Sequence, residues 1–536
     1  MRGVKSPGLR KQHLPVAIPD ICLLFFSLFV VAMTVVPFFI LCCYNHPGDN
    51  DNWYVFRSFL DRGGPDLSLF DFFSFRGSFN LPNFFFSPLY RHPDGMTKEL
   101  FSTFLRIYHF SAAFYVVLFW GSLTILFFSL DRTVFHFGTY RNLFFYSFFI
   151  YLAFNSVHYP TMAFYDLVSS SGYNAGLSYF FLFVSFAFLA EAESRWRWAY
   201  CLFCILFCVA CIFSMEYFPF VCGFVSFAFI VWTLLSRQRF NVLHAALLAL
   251  CLLVFARNFL IVRTLVVPDS DGYVGKYTGG TDSGLTVFVT MGEMMKSLAK
   301  RFCFYLYQLL TQRRYLPAIA VLTIGSARAL RKRGFRIPVW TVLPFFLIIL
   351  GTAAVFSFAT PEVFVMPRYA WTLYVMIFLF ITSLLIAGEG LLTRAFGRAA
   401  DSNPDGDCSR VRDGMVEIAG ICRRIAEGRN FLIVFTAVGT LLFAFFALKD
   451  SESVVANAWK DLLKGDAADY SREMQDRYDA IFSAGEGEPV YLLPIEHRPK
   501  SLFIRDSMEF EVDRNSYRRF FDNKFIYLKV GDQILQ

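Results

Sequence analysis

Charged residues are scarce in this 536-residue chain, because Asp, Glu, Lys and Arg together make up only 17% of it. A soluble domain carries about 25% charged residues, so the composition excludes an ordinary soluble enzyme. Apolar residues make up 56% of the chain, and Phe alone contributes 69 residues. They are concentrated in runs of about 20 residues, the length that crosses a bilayer as a helix. The sequence therefore predicts an all-α polytopic membrane protein.

The motifs that usually hold nucleotides or metal ions are also absent. The sequence contains no P-loop, no GxGxxG after a strand and no HExxH. Cys201, Cys204, Cys208 and Cys211 share one face of a predicted helix, but no His or carboxylate stands among them, so the pattern favours packing over metal. Cysteine is missing from residues 449–536, which argues against a disulfide framework there. We expect no cofactor, no metal and no nucleic-acid partner.

The apolar runs predict about eleven transmembrane helices. A membrane domain over residues 1–448 contains them, and a soluble-looking C-terminal domain covers residues 449–536. The predicted spans are 18–43, 110–130, 142–157, 174–190, 198–214, 217–235, 242–262, 301–325, 338–356, 369–391 and 431–448.

Lys and Arg occur in every second loop, which predicts the orientation of the chain. The basic segments share one side of the membrane if the N-terminus is cytoplasmic, and they lie at residues 2–11, 132–141, 195–197, 237–239, 328–336 and 394–429. An odd number of spans then places the C-terminus on the outer side of the membrane. The long first outer loop is predicted over residues 44–109.

The C-terminal domain is predicted to be a small α+β unit. Its first part, from Val454 to about Phe482, has a helical pattern. Val490–Leu493 and Leu502–Ile504 resemble short strands flanked by prolines.

Two acids follow the first span closely and are the candidate catalytic residues. Asp49 and Asp51 are placed at the membrane–water boundary, where a carboxylate can take a proton from an acceptor hydroxyl. Trp53 and Tyr54 come directly after them. A solvated turn that caps the next helix is the alternative interpretation.

Further along the chain, aromatic and basic residues recur at the outer boundary. Tyr165 and Tyr173 can line a sugar or lipid site, although tyrosines at this depth ordinarily form an interfacial aromatic belt. Arg368 can pair with a phosphate or snorkel to the interface. Arg257 lies deeper, within a predicted span, where an ionisable residue is a functional candidate.

In this arrangement the chain resembles the GT-C class of membrane glycosyltransferases, and more narrowly a poorly characterised Bacteroidetes family of GT-C-like inner-membrane proteins. The class has many spans, an acid in the first outer loop and a polyprenyl-phosphate-linked sugar donor. The family motifs are matched in part by Asp51-Asn52-Trp53-Tyr54, Phe164-Tyr165, Ser171-Gly172-Tyr173, Pro361 to Arg368, Pro499-Lys500-Ser501 to Asp506, and Tyr517–Phe521. The family's adjacent second carboxylate is replaced by Asn52, and a Trp of its aromatic motif by Asp166.

The resemblance implies a glycosyltransferase of the cell envelope that acts in polysaccharide biosynthesis. It would transfer a hexose or pentose from a polyprenyl-phosphate donor to a lipid-linked or surface glycan. Asp51, or else Asp49, would act as base, while Arg368 and Arg257 would hold the donor phosphate. A lipid-linked oligosaccharide flippase is one alternative. A non-catalytic scaffold of the same fold is the other, and the replacements at Asn52 and Asp166 favour it.

Overall fold

The structure is a computed structural model. It describes residues 18–47, 97–135, 141–155, 171–192, 195–214, 218–264, 300, 342–359, 375–384 without 378 and 381, 453–485 and, with short gaps, 488–535.

Apolar helices form the membrane domain. Three of them are long and apolar enough to cross a membrane, over Leu24–Cys42, Lys98–Phe135 and Phe218–Arg237, and six shorter apolar helices accompany them among the described residues. The predicted helical membrane protein is thus confirmed. The predicted spans 301–325 and 431–448 lie outside the described residues, so the number eleven stays a prediction. The helices are α1 Ile18–Cys42, α2 Lys98–Leu130, α3 Arg141–Asn155, α4 Ser171–Glu191, α5 Arg197–Ile212, α6 Phe218–Arg237, α7 Val242–Thr264 and α8 Val342–Ala359.

Helix α2 is longer than predicted. It has 33 residues and begins at Lys98, where the Thr97 hydroxyl accepts a hydrogen bond from the Leu100 amide. At 1.5 Å per residue it measures about 50 Å, against about 30 Å for the bilayer core. The last residues of the predicted outer loop 44–109 are therefore helical from Lys98 onward, while the location of this loop outside the membrane stays a prediction. Lys98 and Arg106 gave this segment a polar appearance, yet Phe101 and Phe104 form a buried stripe on it.

Hydrogen bonds sort the helix ends into two groups. At one end of the bundle, Arg132 donates to the Tyr200 hydroxyl (3.4 Å) and Arg239 pairs with Glu191 (2.6 Å). We call this the arginine end. At the opposite end, which we call the tail end, Ser453 donates to Asn155 across 2.8 Å. From α1 to α7, successive helices run alternately toward the tail end and toward the arginine end.

The bundle packs closely at small residues and buried thiols. Gly176 in α4 and Gly351 in α8 lie so close to side chains of other segments of the bundle that a Cβ on either would collide with them. Cys204, Cys208 and Cys211 are buried, and all the cysteines with a described environment are free thiols. Among the described residues, no group of His, Cys, Asp or Glu is arranged to hold a metal ion.

The C-terminal domain contains two helices and a three-stranded sheet among its described residues. The helices are α9 Val454–Lys464 and α10 Asp466–Ser483, and the strands are β1 Val490–Leu492, β2 Ile526–Val530 and β3 Gln533–Leu535. β1 pairs in parallel with β2, and β2 pairs antiparallel with β3.

Two details of the C-terminal domain differ from the sequence prediction. The single helix predicted from Val454 is broken at Gly465, whose positive φ of 85° is a left-handed conformation that glycine adopts without strain. The strand predicted at Leu502 is wrong, because the amides of Leu502 and Phe503 both donate to the Pro499 carbonyl and close a turn.

Buried polar contacts hold this domain together. Arg477 and Asp506 form a two-pronged ion pair at 2.9 and 2.6 Å, and Arg477 also donates to the Leu493 carbonyl. The Ser501 amide and hydroxyl both donate to Asp461, at 2.7 and 2.6 Å. Both ends of the Pro499-to-Asp506 motif therefore form internal contacts of the domain.

We predict that Gly351→Ala destabilises the bundle by about 1–3 kcal/mol, the usual range for overpacking. A Cβ at position 351 would collide with the side chain of Phe224. Gly121→Ala is the matched control, because no atom lies within 4 Å of its Cβ position. Apparent melting temperatures in detergent measure both. A loss at Gly351 no larger than that at Gly121 would contradict the packing.

Candidate functional site

The C-terminal domain donates a hydrogen bond to a backbone carbonyl of α1 that has no donor within the helix itself. Pro37 lies inside α1 and has no amide hydrogen, so the carbonyl of Met33, four residues earlier, loses its helical partner. The Trp459 indole of α9 donates to that carbonyl across 2.8 Å. In an apolar surrounding an unpaired carbonyl is costly. The Trp459 bond therefore ties α9 to α1.

Asn155, the last residue of α3, holds the beginning of α9. Its side-chain oxygen accepts from the Ser453 hydroxyl (2.8 Å) and the Val455 amide (3.3 Å), and its amide nitrogen donates to the Tyr151 carbonyl. The first amides of a helix have no partner within it. Asn155 thus supplies one, and both Asn155 and Ser453 are fully buried.

Beyond the end of α1, the chain enters a buried polar cluster that we call the His46 cluster. It joins α1, α2 and α10, and consists of Asn45, His46, Tyr108, His109, Tyr470, Ser471 and Tyr478.

Hydrogen bonds fix the cluster from both sides. His109 donates from Nε2 to the Asn45 carbonyl across 2.8 Å, and the Asn45 side-chain amide donates to the Tyr108 hydroxyl across 3.3 Å. On the side of α10, His46 Nε2 bonds the Ser471 hydroxyl at 2.9 Å, and Nδ1 lies 3.5 Å from the Tyr478 hydroxyl. The backbone that leaves α1 is therefore held by α2 and by the C-terminal domain together.

The cluster is electrically neutral near pH 7. Burial and the proximity of His109 lower the pKa of His46 to about 3, and burial raises the pKa values of Tyr470 and Tyr478 above the usual tyrosine value. A neutral His46 cannot neutralise a phosphate. What the cluster can do is position the chain segment that leaves the membrane.

The predicted site residues lie mostly outside the described part of the chain. Those outside it are Asp49, Asp51, Trp53, Tyr54, Tyr165 and Arg368. Tyr173 lies in the first turn of α4, with only its backbone described, and Arg257 is half-buried in the second half of α7. Their assembly into one site remains a prediction.

The sequence did not predict the residues that bond the C-terminal domain to the membrane helices. A proline inside an apolar span was one available signal, because it implies a carbonyl in need of a donor. An asparagine that ends a span, as Asn155 does, was a second signal. The partners Trp459 and Ser453 follow about 300 positions or more after these residues, and only the fold brings them together.

No family model and no curated protein matches the chain. Among solved structures, the chain is similar to the crystal structure of ArnT from Cupriavidus metallidurans bound to undecaprenyl phosphate. The two are 12% identical with a TM-score of 0.40, over 94% of this chain and 86% of that one. At this TM-score the similarity assigns neither a fold family nor an activity.

We predict that Trp459→Phe destabilises the protein by about 1–3 kcal/mol, the cost of leaving a buried carbonyl unpaired. In a Pro37→Ala background the same change should cost less, because residue 37 then has an amide that can donate to Met33. Apparent melting temperatures of the four proteins give this double-mutant cycle. Equal costs in both backgrounds would show that Trp459 does not serve that carbonyl.

We also predict that acid weakens the His46 cluster. Because the pKa of His46 is lower in the folded state, its contribution is complete above pH 6.5 and decreases below it, by about 2 kcal/mol at pH 5. His46→Gln should therefore make the fall in melting temperature between pH 7.5 and pH 5 shallower.

His497→Gln provides a control of opposite sign. The hydrogen bond that His497 donates to the Glu473 carboxylate raises the pKa of the exposed His497. Its stabilising contribution is therefore complete below pH 6.5 and disappears as the pH rises through the folded pKa. Its removal should make the acid-side fall steeper. The same slope in all three proteins would refute the assignment of a buried, neutral His46.

Proposed function

We propose that this protein is a GT-C-type membrane glycosyltransferase that moves a sugar from a polyprenyl-phosphate donor to a lipid-linked or surface glycan. Transfer takes place at the tail end of the bundle, on the periplasmic face of a bacterial inner membrane. The proposal unites the sequence resemblance with one structural observation. The chain that leads into the acidic first loop is buried beneath the C-terminal domain.

The burial of this segment matters for catalysis because the two candidate acids follow it closely in the sequence. Asn45, His46 and Pro47 are buried at the tail end, and Asp49 and Asp51 follow His46 by three and five residues. An extended chain spans at most about 3.6 Å per residue, so the Cα of Asp49 is within about 11 Å of that of His46, and the Cα of Asp51 within about 18 Å. The first loop therefore starts at the covered end of the bundle, which supports the proposed role of these acids.

The charges of the bundle support the proposed orientation. Arg132, Arg197, Arg237 and Arg239 cluster at the arginine end, and arginine-rich loops face the cytoplasm in bacterial inner membranes. The tail end with the C-terminal domain then faces the periplasm. Nucleotide sugars are scarce there, which favours a donor carried by a lipid.

The reaction needs a base and a group that holds the leaving phosphate. Asp51, with Asp49 as the alternative, takes the proton from the acceptor hydroxyl as that oxygen attacks the sugar's anomeric carbon. The bond from that carbon to the lipid phosphate breaks, and Arg368 with Arg257 stabilises the negative charge on the departing phosphate. Trp53, Tyr54, Tyr165 and Tyr173 form the walls for sugar and lipid.

We predict that the glycolipid and surface-glycan profile of a deletion strain lacks one sugar, which the wild-type gene restores. Asp51→Asn should restore less than about 1% of it, because a general base contributes 10²–10⁴-fold to the rate. Asp476→Asn is the matched control, since this acid is exposed on α10, and it should restore the sugar fully. Immunoblots confirm equal amounts of each protein.

The other outcomes separate the alternatives. Full restoration by Asp51→Asn and failure of Asp49→Asn would move the base to Asp49. Full restoration by both variants would refute carboxylate catalysis in the first loop and favour the scaffold. A lipid-linked glycan that is complete but accumulates on the cytoplasmic face in the deletion strain would refute the transferase in favour of the flippase.

A further inference from the structure

At the arginine end, one buried carboxylate joins two loops. Glu191, the last residue of α4, is only 2% exposed in its side chain and lies 2.6 Å from Arg239 and 3.6 Å from Arg237. Asn241 donates to its other oxygen across 2.7 Å. The loop between α6 and α7 is thereby fixed against the end of α4.

The loop that follows α4 belongs to the same neighbourhood. Arg197 donates from Nε to the Ala190 carbonyl across 3.0 Å, so its guanidinium lies beside the residue that precedes Glu191. Arg195, two positions earlier, is exposed and stands 5.6 Å from the centre of the Trp196 ring. Four arginines from two loops therefore gather around the end of α4.

The charge of this region is not balanced. Residues 191–198 and 237–241 contain four arginines and two glutamates, which leaves a net charge of +2. Glu191 engages Arg237 and Arg239 from the protein side, yet their side chains remain 36% and 39% exposed. Their outer edges and the guanidinium of Arg195 thus face outward, the arrangement in which arginine recognises phosphate.

Large apolar rings flank these arginines. Trp196, Trp198 and Phe240 are 51%, 67% and 61% exposed, although aromatic side chains of this size are usually covered in soluble surroundings. Tryptophan prefers the level of lipid headgroups, with its ring on the apolar side and its N–H toward water. The combination fits a molecule that has a phosphate next to acyl chains.

We propose that Arg195, Arg197, Arg237 and Arg239 bind the phosphate of an anionic phospholipid, whose acyl chains lie against Trp196, Trp198 and Phe240. Arginines held between transmembrane helices at a membrane surface form sites of this kind. The site lies at the end of the bundle opposite the C-terminal domain. The lipid site therefore does not depend on the proposed glycosyl transfer.

The test is native mass spectrometry of the full-length protein, released from nanodiscs that contain equal parts of phosphatidylethanolamine, phosphatidylglycerol and cardiolipin. We expect the two anionic lipids to remain bound in preference to phosphatidylethanolamine. Arg195→Gln combined with Arg197→Gln should lower their retention about 20-fold, since each arginine near a membrane surface contributes about a factor of five.

Two variants separate the site from general charge and from misfolding. Arg472→Gln removes an arginine that is 71% exposed on α10 at the other end, and it should leave retention unchanged. Arg195→Lys with Arg197→Lys keeps the charge and should restore most of the binding lost in the glutamine variant. Trp196→Ala with Trp198→Ala should lower the retention of all lipids without removing the preference for anionic ones.

Three results would overturn the proposal. One is equal retention of phosphatidylethanolamine and the anionic lipids by the wild-type protein. Another is unchanged retention in the glutamine variant, provided that it elutes as the wild type does in size exclusion. The last is full displacement of the lipids by millimolar inorganic phosphate, which would identify a site for free phosphate instead.

Discussion

The structure depends on the rule that backbone polar groups need partners in an apolar medium. Pro37 leaves the Met33 carbonyl of α1 without its helical donor, and the Trp459 indole of the C-terminal domain donates to that carbonyl. Asn155 acts in the same way at the end of α3, where it accepts from the beginning of α9. The membrane helices thus present groups to which the C-terminal domain supplies hydrogen-bond donors. Its position on the bundle is specified by these bonds rather than by apolar contact alone.

The position of that domain determines what the tail end can do. Helix α2 is longer than a bilayer core is thick, and it packs through Phe101 against Tyr478 and Phe521. Together with α10 it encloses the chain at His46, immediately before the acidic loop. Under the proposed function, such a cover would exclude water from the reacting phosphate ester and strengthen the electrostatic interactions inside the site. The arginine end carries the opposite character, with exposed guanidinium groups and rings suited to lipid headgroups.

Apolar length and alternating basic loops were enough to predict the helical bundle and the alternation of its ends. They could not reveal that α2 begins at Lys98, because its first turns are polar on the side away from Phe101 and Phe104. Strands β2 and β3 also escaped prediction, since short strands depend on partners elsewhere in the chain. The proposed catalytic acids came from spacing and resemblance, whereas the His46 cluster arises from three separate elements and has no local signature.

Release of the lipid phosphate is the sharpest test of the proposed sugar transfer. Purified wild-type protein is incubated with polyprenyl-phosphate sugars and with membranes of the deletion strain as acceptor, and the lipids are followed by mass spectrometry. We expect that one donor is consumed, that free polyprenyl phosphate appears in equal amount, and that Asp51→Asn releases almost none. If wild-type protein consumes no donor, the protein is not a transferase of these sugars. If the Asp49→Asn, Asp51→Asn double variant consumes the donor equally fast, neither acid is the base.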